Sequence, residues 1–288
     1  MQLFLLTSAT MLAFALNSIL TRMAIAPGHI DPISFALIRV LAGAVFLCAL
    51  VWLRGARVPW RGPMRLVGAS SLSVYMIGFS MAYVTLDAGL GALILFGVVQ
   101  IAIFSFGMLR GARPQTRQMI GAAIAFSGLV VALWPGDTSG SSLFGAICMI
   151  LAGLGWAAYT LSGKNATNPL AETAANFAYC VPVLLVFTLA MVEKASVVGL
   201  LLAVLCGAVT SGLGYALWYR VLPQLQANVA AVVQLSVPVI ALVAGALVLG
   251  EPIAPLILTA AGLVIAGIAL AVTKQSSPAG HSRPNSKG

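Results

Sequence analysis

Six stripes of polar and aromatic side chains run through long apolar segments, and these are the residues with chemistry to offer. Thr10, Phe14, Asn17 and Thr21 form one; Ser71, Tyr75, Phe79 and Tyr83 the next; Phe96, Gln100, Phe104 and Gly107 a third. Trp156, Tyr159 and Gly163, then Ser211, Tyr215 and Trp218, then Ala231, Gln234 and Pro238 complete the set. Their i, i+3/i+4, i+7 spacing is that of one helix face. A polar group in apolar surroundings costs free energy unless it is satisfied. Each could simply bond a neighbouring helix, and Tyr83 and Trp218, near helix ends, could also be interfacial aromatics. Taken together, rings and amides suit non-covalent binding of a small molecule, the rings covering an apolar side chain and the amides bonding a zwitterionic backbone. Asn17, Tyr75, Gln100, Trp156, Tyr159 and Gln234 lead as cavity residues, with Phe79, Tyr83, Tyr215 and Trp218 beside them.

The same segments lack the groups that other chemistry needs. Asp31, Asp87, Asp137, Glu172, Glu193 and Glu251 all fall in loops or at helix ends, so no mid-membrane carboxylate stands ready to relay protons. Arg39 is the one charge about two turns inside a helix; it is expected to snorkel outward or to pair with Asp31 or Asp87, with contact to substrate as the alternative. Cys48, Cys148, Cys180 and Cys206 sit in apolar runs without CxxC spacing and read as core packing. His29 and His281 lie in loops or tails. No metal cluster, catalytic aspartate pair or Ser–His pair is in view, so neither an enzyme nor a cofactor is expected.

These stripes must be carried by membrane helices. Of 288 residues, 61% are hydrophobic and 7% charged, with mean hydropathy +1.06. A water-soluble domain carries about 25% charged residues; here lipid must cover the surface. Long apolar runs between short breaks indicate helices, and the alternation of a transmembrane barrel is missing. Ten helices are expected near 3–24, 32–53, 66–85, 90–109, 117–134, 143–162, 173–191, 196–218, 228–249 and 254–272. The first is expected to be retained rather than cleaved as a signal peptide. The net charge of +9 is spread over loops rather than gathered on one face, which excludes a nucleic-acid surface. With ten spans, Arg54, Arg57, Arg61, Arg65, Arg110, Arg113, Arg117, Lys164, Arg220, Lys274, Arg283 and Lys287 share one side, and most acids lie opposite. The positive-inside rule then puts both termini in the cytoplasm. Residues 274–288 form a polar tail, expected to be disordered.

The chain also repeats. AFALNS (13–18) aligns with GWAAYT (155–160), Tyr83-x-x-Leu86 with Tyr219-x-x-Leu222, FSGLVVAL (126–133) with IAGIALAV (265–272), and Gly111 with Gly250. Five helices per half is odd, so the second copy enters the membrane upside down. The motif recurs while its charge inverts: only the copy ending on the cytoplasmic side carries an arginine, Arg220. The repeats are expected at 1–140 and 141–273. Inverted repeats are a mark of secondary transporters, with the substrate site near the midplane.

DPISFALIR (31–39), GWAAYTL (155–161) and the stretch from LGYALWYRVLPQLQANVAAVVQ to LVLGEP (213–252) resemble the ten-helix EamA branch of the drug/metabolite transporter superfamily. The resemblance runs to about residue 273, and within the branch it is nearest to bacterial exporters of aromatic amino acids. It implies an all-α integral membrane fold: ten transmembrane helices as two inverted-topology five-helix repeats around a central cavity, with helices five and ten outside the basket. The expected activity is export of small metabolites, above all amino acids, across a bacterial inner membrane by alternating access. Alternatives are a multidrug, nucleoside, sugar or organic-cation permease of this fold, or a facilitative channel. The expected partners are a small-molecule substrate and the lipid bilayer; a monomer is compatible with the sequence.

Overall fold

The computed structural model describes residues 1–111, 115–132, 142–163, 166–190, 195–225 and 233–272. Arg113, Asp137, Lys164, Glu193, Lys194, Ala231 and the expected tail at 274–288 lie outside the described residues. The helices are α1 (Gln2–Ile25), α2 (Pro32–Leu53), α3 (Arg65–Ala82), α4 (Ala88–Leu109), α5 (Thr116–Ala132), α6 (Leu143–Ser162), α7 (Pro169–Ala190), α8 (Val197–Gln224), α9 (Ser236–Leu249) and α10 (Pro255–Val272).

Local chemistry sets their ends. Asp31 caps α2, its Oδ1 accepting from the backbone N–H of Ile33 (3.0 Å) and Ser34 (2.8 Å), with Pro32 in the first turn. Its counterpart in the second half is Asn168, which caps α7 through Ala171 (3.2 Å) ahead of Pro169. Gly111 and Gly250, aligned in the sequence, both turn the chain with positive φ (86° and 69°). Among the described residues six helices (α1, α2, α4, α6, α7 and α8) are long and apolar enough to span a bilayer. Helices α5, α9 and α10 are shorter but apolar. The 18 residues of α3, about 27 Å at 1.5 Å per residue, include Ser71, Ser73, Tyr75 and Ser80, all of them buried against neighbouring helices. Lipid is the solvent for the exposed apolar side chains, among them Leu5, Val45, Trp52, Leu66, Phe126, Leu189 and Leu247.

Packing follows the repeat. Helix α2 lies against α7, α4 against α9 and α5 against α10, while α1 packs on α8 as α3 packs on α6. Exchanging the halves turns each of these contacts into itself or its mate. The crossing of α5 and α10 shows this at atomic detail. The alignment pairs Gly128 with Gly267 and Ala125 with Val264. Gly128 abuts the backbone of Val264, and Gly267 abuts the backbone of Ala125. A side chain at either glycine would hold the two backbones apart. The chain is thus an all-α integral membrane protein of two inverted five-helix repeats around a central cavity.

Helix α8 departs from regularity where it matters for the cavity. It widens into a π-helix at Cys206–Leu213 before resuming at Gly214. Wide turns of this kind occur often at functional sites. This one directs Cys206, Thr210 and Ser211 to the molecular centre, and Gly207 lets α8 approach the Arg39 carbonyl of α2.

Candidate functional site

An aromatic column runs through the centre. Tyr83 meets Phe79 edge-on (centroids 4.8 Å apart), Phe79 meets Tyr75 (5.3 Å), and Tyr75 meets Trp156 (4.9 Å). Trp156 then stacks on Tyr215 (5.4 Å), which stacks on Tyr219 (6.4 Å), while Phe14 flanks Tyr215 (5.8 Å). Tyr159 lies 5.5 Å from Trp156. The rings come from α1, α3, α6 and α8, and tilted or offset contacts at these distances favour a defined arrangement.

The Trp156–Tyr215 stack divides two cavities. One, of about 30 Å³, is lined by Phe14, Asn17, Ser18, Tyr75, Phe79 and Phe96, with Leu95 and Gln234 closing it. It has room for about one or two waters. The other, of about 420 Å³, is walled by Trp156, Tyr159, Thr173, Tyr215, Trp218 and Tyr219. It reaches Gly163, Ala166, Glu172 and Leu222, at the ends of α6, α7 and α8 that share a face with the N-terminus. Its size falls in the range of small-molecule sites, roughly 300–1,000 Å³.

Eight of the ten sequence candidates line one cavity or both. Asn17, Tyr75, Phe79 and Gln234 line the smaller, Tyr159 and Trp218 the larger, and Trp156 and Tyr215 both. Tyr83 and Gln100 line neither. Tyr83 is buried against Gly91 and donates to the Ala88 carbonyl (3.3 Å). Asn17 and Tyr159, aligned in the repeat, have different partners. The Asn17 side chain bonds to α2 and α8, whereas the Tyr159 hydroxyl bonds to Thr173 (2.9 Å), which also bonds to Tyr219 (2.9 Å). Ser18 and Thr173 escaped the reading because small residues inside apolar helices carry no local signal, whereas Phe96, a member of the third stripe, lines the smaller cavity.

Arg39 overturns its sequence expectation. It neither snorkels nor pairs with Asp31 or Asp87; it is fully buried at 0% exposure. Nε donates to Ser211 Oγ (3.0 Å), and Nη2 donates to Asn17 Oδ1 (3.1 Å) and to the Tyr75 hydroxyl (3.3 Å). The guanidinium carbon lies 5.6 Å from the centre of the Tyr75 ring and 5.0 Å from that of Phe79. Among the described residues Nη1 has no partner. Burying such a charge costs several kcal/mol after relaxation, which neutral partners and cation–π contacts of about 0.5–2 kcal/mol only partly offset.

The face opposite the N-terminus is fastened by charge. Arg22 of α1 pairs with Asp87, at the start of α4, and with Glu251, in the α9–α10 loop, both at 3.3 Å. It also donates to the carbonyls of Tyr83 (3.1 Å) and Val84 (3.2 Å). Glu251 in turn accepts from the Ala88 N–H (2.9 Å), capping α4 from outside that helix. Burial raises the carboxyl pKa of both Asp87 and Glu251, outweighing the opposing pull of Arg22. On the N-terminal face Arg65 ties α3 to α7 through Glu172 and Asn176. Among the described residues no group of three or more His, Cys, Asp or Glu side chains could hold a metal.

Relatives agree with this architecture. The pattern of the EamA-like transporter family matches residues 2–134 and again 143–273. An uncharacterized protein of Pseudomonas aeruginosa is 47% identical over 92% of this chain and 93% of its own. An uncharacterized transporter of Archaeoglobus fulgidus is 27% identical over 85% and 90%. The uncharacterized inner membrane transporter YedA of Escherichia coli is 26% identical over 50% of this chain and 47% of its own. One solved crystal structure superposes with TM-score 0.68 over 94% of this chain and 96% of the other at 15% identity, which shows a shared fold. The chain belongs to the EamA-like transporter family and is a multi-pass membrane transporter of the drug/metabolite type.

Proposed function

We propose that the protein exports small metabolites, foremost amino acids, across a bacterial inner membrane by alternating access, with both termini in the cytoplasm. The observation that carries this reading is the asymmetry of access along one aromatic column. On one side of the Trp156–Tyr215 stack a ligand-sized cavity reaches the N-terminal face; on the other a water-sized cavity lies below the Arg22–Asp87–Glu251 fastening. In this reading the structure is the inward-facing state. Substrate enters from the cytoplasm, the stack rearranges, and the fastening releases on the far side. The basic residues of the N-terminal face support the orientation, and the domains at 1–140 and 141–273 are the halves that rock. A channel is less favoured, because the stack separates the two cavities.

The expected affinity is low. Covering about 100 Å² of apolar ligand surface contributes roughly 2.5 kcal/mol, and two net hydrogen bonds about 2 kcal/mol more. The sum corresponds to a millimolar-range site, suited to a cargo that accumulates. The test is exchange in proteoliposomes loaded with a panel of amino acids, read as saturable counterflow. Counterflow of neutral amino acids supports the reading. A panel that does not exchange, beside an organic cation or nucleoside that does, assigns the fold another cargo.

A further inference from the structure

We infer that the central cavity recognises a carboxylate, and that Arg39 is the specificity-determining residue. This rests on the transporter reading but not on the cargo being an amino acid. Among the described residues no acid lies within ion-pair distance of Arg39. Asp87 and Glu251 are taken by Arg22, and Glu172 by Arg65. Asp31 is spent on the start of α2. An arginine cannot shed its charge to relieve its burial, so the centre carries a fixed, unbalanced positive charge.

The hydrogen bonds around it are lopsided in the same sense. Asn17 Oδ1 accepts from Arg39 Nη2 (3.1 Å), Thr210 Oγ1 (2.8 Å), Ser211 Oγ (3.1 Å) and Cys206 Sγ (3.3 Å). A neutral amide oxygen offers two lone pairs; Thr210 has the Cys206 carbonyl as a second acceptor (2.9 Å), and the other three donors still exceed that supply. Among the described residues Arg39 Nη1 has no acceptor. The Tyr75 hydroxyl accepts from Arg39, which leaves its own hydrogen free to donate and polarised to do so. A site with surplus donors around a fixed cation is matched by a carboxylate, which brings two acceptor oxygens and a negative charge.

This chemistry is one side chain away from the smaller cavity, which has room for about one or two waters in this arrangement and admits an organic acid when the Trp156–Tyr215 stack moves aside, as the proposed transport cycle requires. Asn17, Tyr75 and Phe79 touch Arg39 on one side and line the smaller cavity on the other. The carboxylate would accept from Tyr75 and feel the guanidinium across a single layer, where low dielectric keeps the attraction strong. Phe14, Phe79, Phe96 and Trp156 make the remaining wall apolar, which favours an organic acid with an apolar body over an inorganic anion.

The test is a set of ligands that share one phenyl ring: 3-phenylpropionate, phenylalanine, 3-phenylpropionamide and phenethylamine. Each is titrated into the purified full-length protein in detergent and followed by quenching of tryptophan fluorescence, Trp156 lying in the site. Wild type should bind phenylpropionate about tenfold tighter than the amide or the amine. Arg39→Met should abolish that preference while the unfolding temperature stays level or rises, since Asn17 keeps three other donors and a buried charge is removed. Arg39→Lys should retain part of the preference. The inference is overturned if the amide or amine matches the carboxylate, if Arg39→Met keeps the preference, or if none of the four binds. Should Arg39→Met not fold, the wild-type panel and Arg39→Lys decide by the same criteria. Phenylpropionate binding without phenylalanine binding would uphold a carboxylate site and remove amino acids from the proposed function. Equal binding of phenylalanine and phenethylamine would do the reverse.

Discussion

Replacing Arg22 by glutamine should open the closed face. Arg22 makes two ion pairs at 3.3 Å and two carbonyl bonds at 3.1 and 3.2 Å, and together they hold α1 to the start of α4 and to the α9–α10 loop. Its side chain and those of Asp87 and Glu251 keep 18%, 18% and 11% of their exposure, so solvent screens the contacts in part. Valued at about 0.5–1 kcal/mol each, with glutamine recovering one or two, the loss is about 2 kcal/mol. That is roughly a 30-fold shift toward the form open on this face. The assay uses Ser18→Cys, which places a thiol in the smaller cavity one turn below Arg22, in a chain whose four native cysteines are replaced. An impermeant thiol reagent added to the face opposite the N-terminus should label this cysteine at least several-fold faster when Arg22→Gln is present. If the rate does not change while the protein remains folded, the ion pairs do not close that face, and the reasoning from geometry to gating is wrong.

Three further outcomes follow from the geometry. Burial raises the carboxyls of Asp87 and Glu251 in the closed form, whereas hydration would return them to the usual range when the face opens. Closure should therefore be strongest below the usual carboxylate range and weaken as pH rises through the raised one; Ser18→Cys labelling, normalised to a free thiol, should climb with pH, and a flat or falling profile contradicts this. Trp156→Ala removes the ring between Tyr75 and Tyr215 and should cut counterflow about tenfold or more with the protein still monodisperse, whereas Gln100→Ala, outside both cavities, should matter far less; equal effects would refute the cavity assignment. Gly267→Val puts a side chain against the Ala125 backbone and should lower stability by about 1–3 kcal/mol, read as a fall in unfolding temperature; no fall would contradict the close α5–α10 crossing.

Much of the architecture was legible because lipid imposes it. Apolar runs near 20 residues have one stable form, so the helices stood out, and inverted charge around Tyr83-x-x-Leu86 and Tyr219-x-x-Leu222 exposed the repeat. Boundaries shifted where local chemistry competed. Helix α3 stops at Ala82 rather than 85, and α8 continues to Gln224, past Arg220, ending in a tighter turn at Pro223. Rings and amides at helical spacing point to the cavity, but spacing alone cannot set a helix's rotation: Tyr83 packs edge-on against Phe79 yet lines neither cavity, and Gln100 lines neither. Arg39 was least legible. Its partners, Asn17, Tyr75 and Ser211, are neutral and lie on three other helices, whereas sequence reasoning searches for acids. Position 39 in a helix says that a charge is buried, not what it faces.

The central claim is that cargo crosses through a cavity bounded by Trp156 and Tyr215 that opens to one side at a time. Accelerated exchange tests it most directly. Proteoliposomes are preloaded with an unlabelled amino acid or left empty, and initial uptake of the labelled one is measured against concentration for wild type and Trp156→Ala. The account expects saturable uptake, faster into preloaded vesicles, with both features lost in Trp156→Ala. Uptake that rises linearly with concentration, is indifferent to preloading and survives Trp156→Ala would contradict it.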